Sequence, residues 1–211
     1  MNKHKLLLFW MLFLGVGSWC SPLLSKHSCP NVASNLTHAQ EASLGNPQAP
    51  IIIICYSSFT CLHCAEFHRK VFPFLKQKYI DTGRAFYIMR DYPLDGISLK
   101  ASQLARAQGI SNYIKNADVF YGRQKEWLMA KDPEKNLREM AKTCGISDDE
   151  IHNALKDESV LKSILSQRLE AQKKLGITHT PTFIINGRKI EGYMPFEQLE
   201  KYLQTAESSQ N

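Results

Sequence analysis

The sequence predicts an α/β fold, and three stretches carry that prediction. The first, APIIIICYSSF at residues 49–59, is an apolar run of strand length, typical of a central strand buried on both faces. The second, from Ser98 to about Leu175, has helical periodicity throughout. The third, PTFIINGRKIEGY, contains two apolar runs joined by Asn186-Gly187, a pair that suits a tight hairpin turn. The predicted order is β-α-β, a helical block, and then β-β-α.

Spacing predicts the elements around the first strand. After that strand, apolar residues recur every three to four positions, which predicts a helix that continues through Pro73. The apolar positions of this helix are Phe67, Val71, Phe74, Leu75 and Tyr79. The next strand is predicted in RAFYIMRDYP, from Arg84. Because a crossover helix separates the two strands, we expect them to be parallel.

The helical block divides at two turn signals. One helix is predicted to end at Gly145 and the next to start at Ser147, which precedes a run of acidic residues. A long helix is predicted from Val160 to Leu175, with one apolar side formed by Leu161, Ile164, Leu165 and Leu169. A last helix is predicted near Pro195, with a stripe formed by Phe196, Leu199 and Leu203.

The N-terminus has the layout of a secretory signal peptide. A short basic stretch is followed by LLLFWMLFLGVG, which is too short for a comfortable membrane span, and then by small residues. We predict a signal peptide over residues 1–18, with an uncleaved membrane anchor as the alternative, and an N-terminal tail over 19–44. Cleavage would remove Lys3 and Lys5 and lower the formal charge from +6 to +4. The basic residues form no cluster, so we expect no nucleic-acid partner.

The stretch FTCLHC, residues 59–64, places two thiols three positions apart at a strand-to-helix junction. A zinc site of this type needs a second pair of ligands, and the sequence has no second C-x-x-C. A structural disulfide here would close a very small loop and constrain the unfolded chain little. The unsatisfied N–H groups at a helix N-terminus favour a thiolate, so the pattern indicates a redox-active pair.

The position of each thiol predicts its role. Cys61, at the exposed start of the helix, is expected to be the nucleophile that forms mixed disulfides, and Cys64, one turn later, the buried resolving thiol. A protonated His63 beside the thiolate would lower the pKa of Cys61 and make the disulfide more oxidising. The alternative for His63 is a surface histidine without effect. Leu62 is expected to offer an apolar contact near the sulfurs.

A second motif, THTPTFIING, lies just before the predicted hairpin. Together with the C-x-x-C and the helical block, it resembles the thioredoxin fold, and within it the DsbA-like family of exported thiol-disulfide oxidoreductases. The similar stretches, which run in the family's order from Gly45 to about Leu203, are GNPQAP, YSSFTCLHCAEFH, RDYPLD, LKASQLARA and AQKKLGITHTPTFIINGRKIEGYMPFEQLEKYL. The resemblance implies a thioredoxin-like domain over 45–97 and 166–205, an inserted all-helical domain over 98–165, and a C-terminal tail over 206–211.

The resemblance also implies how the site works. It implies a cis peptide between Thr180 and Pro181 that faces the Cys61–Cys64 pair, with the backbone before the proline pairing with an extended substrate segment. It implies no metal and no organic cofactor. The expected partners are cysteine-containing exported proteins as substrates and a membrane quinone-linked protein that reoxidises the pair. The expected location is the periplasm, and the expected state is a monomer.

Two positions depart from the family's pattern. Cys55 lies in the first strand where many relatives carry a buried acid that helps to move the proton of the resolving cysteine, so that relay is in doubt here. Cys144 is alone in the helical block, where many relatives carry an additional disulfide. Cys20 and Cys29 could pair with each other, stay free, or be partly removed with the signal peptide, and the sequence does not choose.

These observations predict an exported thiol-disulfide oxidoreductase that introduces disulfide bonds through Cys61 and Cys64. A reductase or isomerase of the same fold is the alternative within this chemistry, because Thr-Pro at the cis position does not decide the direction of electron flow. An alternative from another class is a peptide-binding chaperone whose thiols are dispensable. Replacement of both thiols by serine would separate that last alternative from the redox enzymes.

Overall fold

The computed structural model describes residues 41–209. Their strands form one five-stranded sheet in the order β1-β3-β2-β4-β5. The strands are β1 Ala42–Gly45, β2 Ile51–Ser57, β3 Ala85–Asp91, β4 Thr182–Ile185 and β5 Arg188–Glu191. The pair β2 and β3 is parallel, as predicted, and every other pair in the sheet is antiparallel. The strand that carries the predicted site, β2, is therefore central.

Strand β1 corrects the prediction of an N-terminal tail that extends to residue 44. It pairs with β3 from Ala42, opposite Met89, to Gly45, opposite Phe86. The sequence ASLG has no alternation that would mark a strand, so its extended form depends on the hydrogen bonds that β3 supplies. The buried ion pair between Glu41 and Arg90 fastens the start of this strand.

The predicted helix after the first strand consists of several segments. They are α1 Leu62–Lys70, α2 Phe72–Leu75 and a π-helical turn over Lys76–Ile80. Pro73 lies in the first turn of α2, where its missing N–H removes no helical hydrogen bond. Four of the five predicted apolar positions are buried, but Phe74 is exposed.

The helical block contains a 3-10 turn over Ile110–Asn112 and six α-helices, of which the last returns to the sheet. They are α3 Gly96–Ala105, α4 Tyr113–Gly122, α5 Gln124–Leu128, α6 Pro133–Thr143, α7 Asp148–Lys156 and α8 Glu158–Leu175. Ser147 caps α7 in a capping box with Glu150, which confirms the predicted start. Helix α8 is continuous across the predicted domain boundary at 165/166.

The apolar side predicted for the long helix is only partly buried. Ile164 is buried in α8, but Leu165 and Leu169 are 42% and 49% exposed. Helix α8 lies against one face of the sheet, where Ala171 packs with β2 and β3 residues such as Ile54 and Ile88. The larger core lies on the other face and includes residues of α1, α2, the rest of the helical block and the last helix, α9, Phe196–Ser208. Strand β2 is therefore covered on both sides, as predicted.

The C-terminal part forms the predicted hairpin and helix. Asn186 and Gly187 both have positive φ, as a tight hairpin turn between β4 and β5 requires. The last helix, α9, runs over Phe196–Ser208, so the predicted tail from residue 206 is wrong for its first three residues. No helix within residues 41–209 is long and apolar enough to cross a membrane. The predicted signal peptide, Cys20 and Cys29 lie outside the described residues.

Candidate active site

Cys61 lies at the N-terminus of α1, directly after the loop that follows β2. It is the N-cap residue of the helix, and its Sγ accepts a hydrogen bond from the Cys64 N–H at 3.3 Å. An N-cap side chain of this kind satisfies one of the four helix N–H groups that have no partner within the helix. The sulfur of Cys61 therefore occupies the place where a helix best accommodates negative charge.

The loop before β4 forms the opposite wall of the site. The Thr180–Pro181 peptide is cis, as the resemblance implied. The antiparallel pairing of Tyr56 in β2 with Thr182 in β4 brings this loop to the end of the strand from which Cys61 follows. As a thiol, Cys61 donates to the Thr180 carbonyl at 3.3 Å, across 119 positions of the chain. The two sequence motifs thus form one site.

The surroundings of Cys61 lower its pKa to about 5. The largest cause is a hydrogen bond from the Cys64 thiol, and burial opposes it by disfavouring the charged form. A hydrogen bond from Thr180 and the N–H groups of Cys64 and His63 lower the pKa further. Ionisation removes the proton that Cys61 donates to the Thr180 carbonyl, so Thr180 favours the thiolate only through its hydroxyl. That hydroxyl oxygen is buried and has no hydrogen-bond partner within the described residues while Cys61 is a thiol.

Cys64 is shifted in the opposite direction. Its side chain is buried, and burial raises its pKa well above the ordinary value, assisted by its hydrogen bond to Cys61 and by the charge of Cys61. The Cys64 thiol therefore stays protonated and donates a hydrogen bond to the Cys61 thiolate. The reduced pair holds a single negative charge, and that charge lies on the more accessible sulfur.

The two residues between the thiols both face solvent. Leu62 is 52% exposed beside Cys61, which places an apolar surface at the mouth of the site. His63 is exposed, and its ring centroid lies 6.2 Å from that of Tyr193. His63 favours the Cys61 thiolate through its backbone N–H. The effect predicted for its imidazole stays a prediction.

Residues that the sequence analysis missed support the turn before Cys61. The Ser98 hydroxyl lies 2.7 Å from the Ser58 hydroxyl and accepts from the Phe59 N–H at 2.9 Å. Gln124 of α5 donates from Nε2 to the carbonyls of Phe59 and Cys61 at 2.7 and 3.0 Å. A single serine or glutamine 39 to 65 positions from its partners carries no sequence signal, so only the fold reveals these contacts.

The two described cysteines outside the Cys61–Cys64 pair, Cys55 and Cys144, are also free thiols. Cys55 is buried in β2, lies 3.3 Å from the Ser57 hydroxyl, and has its pKa raised to about 11, chiefly by burial. It therefore stays protonated and cannot act as the carboxylate of the family would. Cys144 is half-buried at the end of α6. Within residues 41–209, no group of three or more His, Cys, Asp or Glu side chains could hold a metal ion.

The sequence of the chain is similar to those of known proteins. A family model described as thioredoxin matches residues 37–205. A Rickettsia bellii protein, provisionally named a protein-disulfide oxidoreductase, is 32% identical over 151 residues, which are 71% of this chain and 58% of that protein. A Rickettsia typhi protein with a similar name is 31% identical over 71% of this chain and 56% of its own. The chain thus spans a little more than half the length of these curated relatives.

Solved structures match over more of their length. The crystal structure of Wolbachia pipientis alpha-DsbA1 is similar with a TM-score of 0.76 and 30% identity, over 83% of this chain and 95% of that chain. Chlamydia trachomatis DsbA has a TM-score of 0.70 at 20% identity, over 83% and 95% of the two chains. The second likeness, at its low identity, concerns the fold alone.

Proposed function

Because the chain belongs to the thioredoxin family and is a DsbA-like thiol-disulfide oxidoreductase, we propose that it works as an exported dithiol oxidase. The observation that carries this proposal is the opposite shift of the two thiols: the pKa of Cys61 is lowered to about 5 and that of Cys64 is raised. A stabilised Cys61 thiolate stabilises the reduced protein relative to the disulfide. A disulfide whose reduced form is stabilised is a strong oxidant.

The proposed reaction moves two electrons from the substrate to the pair. A substrate thiolate attacks Cys61 in the Cys61–Cys64 disulfide, which forms a mixed disulfide and releases Cys64, and Cys64 takes up a proton. A second substrate thiolate then attacks the substrate sulfur of the mixed disulfide. Cys61 leaves as the thiolate, and the low pKa makes it a good leaving group. The substrate gains a disulfide, and the enzyme is left as the dithiol with one charge.

The walls of the site suit an extended substrate. The Thr180 carbonyl lies 3.3 Å from the Cys61 sulfur, so the backbone before Pro181 is close enough to align a substrate strand beside the reacting sulfur. Leu62 offers exposed apolar surface next to Cys61, and His63 adds a positive charge when it is protonated. The substrates are cysteine-containing proteins in an extended, incompletely folded state.

The proposal includes a location and a second partner. Residues 1–18 act as the export signal, or as an anchor if they are not cleaved, and the enzyme works as a monomer in the periplasm. A membrane quinone-linked protein accepts the two electrons and restores the disulfide. This partner is inferred from the family. A fusion of residues 1–40 to a reporter that is active only after export would test the location, and activity inside the cell alone would refute it.

The decisive experiment measures the reduction potential of the full chain in glutathione buffers, with the redox state of Cys61 and Cys64 read by thiol trapping. We expect a value in the range of roughly −120 to −180 mV. A value near about −270 mV, in the thioredoxin range, would refute the oxidase and indicate a reductase. In parallel, Cys61→Ser should abolish oxidation of a reduced two-cysteine peptide, and the matched variant Cys144→Ser should not. If client protection survives the loss of both Cys61 and Cys64, the protein is a chaperone with dispensable thiols.

A further inference from the structure

Gln124 connects the helical block to the turn that carries Cys61. It is the first residue of α5, and it is 1% exposed. Its Nε2 donates both of its hydrogens to backbone oxygens, one on Phe59 at 2.7 Å and one on Cys61 at 3.0 Å. The side chain therefore holds two of the three residues that lead into α1.

One of these bonds supplies the donor of a carbonyl that would otherwise have none among the described residues, and the other is a second donor to the Cys61 carbonyl. The turn is closed by the Cys61 N–H, which donates to the Ser58 carbonyl at 3.1 Å. Within residues 41–209, the Phe59 carbonyl receives no donor other than Gln124, whereas the Cys61 carbonyl also accepts from the Ala65 N–H at 3.1 Å. A buried carbonyl without a donor is unfavourable, so loss of the amide would let the turn rearrange.

The orientation of this turn decides where the Cys61 sulfur lies. Cys61 has φ −77° and ψ 120°, the extended conformation that an N-cap residue needs for its side chain to reach back to the helix N–H groups. A rotation of ψ at Cys61 moves its carbonyl and its N-cap geometry together. A donor that fixes the Cys61 carbonyl therefore also fixes the contact between the Cys61 sulfur and the Cys64 N–H.

The amide of Gln124 is not explained by packing alone. Its Oε1 is buried and has no hydrogen-bond partner in the described part of the chain. An apolar side chain of the same shape would fill the space without burying an unpaired acceptor. The buried, unpaired Oε1 therefore costs free energy of folding. What the amide supplies in return is the two hydrogen bonds to the carbonyls of Phe59 and Cys61.

We infer that Gln124 is a positioning residue, through which α5 holds the Cys61 sulfur in the N-cap geometry that stabilises its thiolate. The inference rests on the proposed role of Cys61 as the reacting thiolate, but not on the direction of electron flow. The reactivity of the thiol pair then depends on the helical block, because Gln124 lies outside the strand and the helix that carry the pair.

The test compares Gln124→Met with a matched control, Asn116→Leu, in the full-length reduced chain. Asn116 is also a buried amide of the helical block, and it donates to the Ala105 carbonyl at 3.1 Å, with no hydrogen bond to the active-site turn within the described residues. The Cys61 thiolate is followed by its absorbance at 240 nm against pH, the redox equilibrium by glutathione titration, and the stability by thermal melting.

We expect Gln124→Met to raise the pKa of Cys61 by about one unit, a tenfold loss of thiolate stabilisation. The corresponding tenfold change in the redox equilibrium lowers the potential by about 30 mV. Asn116→Leu should lower Tm and leave both redox quantities unchanged. If Gln124→Met does not fold, Gln124→Asn keeps an amide that is too short to reach both carbonyls, and it should move the redox quantities in the same direction.

Two results would overturn the inference. One is an unchanged Cys61 pKa in the folded Gln124 variant, and the other is an equal shift in Gln124→Met and Asn116→Leu, which would show general loosening. Failure of the proposed oxidase gives a different result. A wild-type potential in the reductant range with a specific Gln124 effect would refute the oxidase and retain the positioning role.

Discussion

Replacement of Cys64 by alanine tests the origin of the low pKa of Cys61. The pKa of Cys61 is lowered to about 5, and its largest cause is the hydrogen bond from the Cys64 thiol. The ordinary value for cysteine is about 8.5, and a hydrogen bond to a charged group contributes roughly 1.5–3 kcal/mol. At about 1.36 kcal/mol per pKa unit, loss of that bond corresponds to roughly one to two units. We therefore expect the Cys61 pKa to be about 6 to 7 in Cys64→Ala.

The remaining donors keep that value below the ordinary one. The N–H groups of Cys64 and His63 belong to the backbone and survive the substitution. Absorbance at 240 nm against pH reads the thiolate directly. Cys55 and Cys144 do not interfere in this range, because burial raises the pKa of both thiols.

Cys64→Ser is the matched control, because its hydroxyl can still donate to the Cys61 sulfur. It should raise the Cys61 pKa less than alanine does. An unchanged titration in Cys64→Ala would show that the backbone N–H groups and helix dipole alone set the pKa. Equal curves for the alanine and serine variants would show that the donor at position 64 contributes nothing.

Three further predictions follow from the same contacts. The reduced pair holds one proton above pH 5, so the reduction potential should fall by about 30 mV per pH unit between pH 6 and 8; a slope near about 59 mV would mean that both thiols are protonated. His63→Ala keeps the backbone N–H, so the Cys61 pKa should rise by less than about one unit, and a larger rise would assign the main effect to the imidazole. Glu41→Ala leaves Arg90 buried without its carboxylate partner, which should cost about 3–5 kcal/mol and lower Tm by roughly 10 °C. Lys162→Ala, which breaks an exposed pair, should change Tm little; equal losses in these two variants would contradict the role of burial.

Local spacing predicted much of the fold. The continuous apolar run of β2, the Asn186-Gly187 turn and the Ser147 cap depend on neighbours within a few residues, and all three appear where they were predicted. Strand β1 was missed by the sequence analysis, which predicted a tail there, because the strand is extended only through its pairing with β3, about 45 positions away.

The limits of periodicity show in the solvent-facing apolar residues. Leu165 and Leu169 have the spacing of a helix face, yet half of each side chain remains exposed. Periodicity reports which residues share a side of a helix, whereas burial depends on what covers that side. The position of α8 against the sheet, which buries Ala171 instead, is a property of the assembled chain.

The sequence by itself determined the proximity of the two thiols, because cysteines three positions apart at a helix start meet within one turn whatever surrounds them. Tertiary structure decided the asymmetry between them. Burial of Cys64 separates its pKa from that of Cys61, and Thr180 and Gln124 reach Cys61 from 119 and 63 positions away. A pKa depends on the dielectric and the donors around a group, and packing of distant segments sets both.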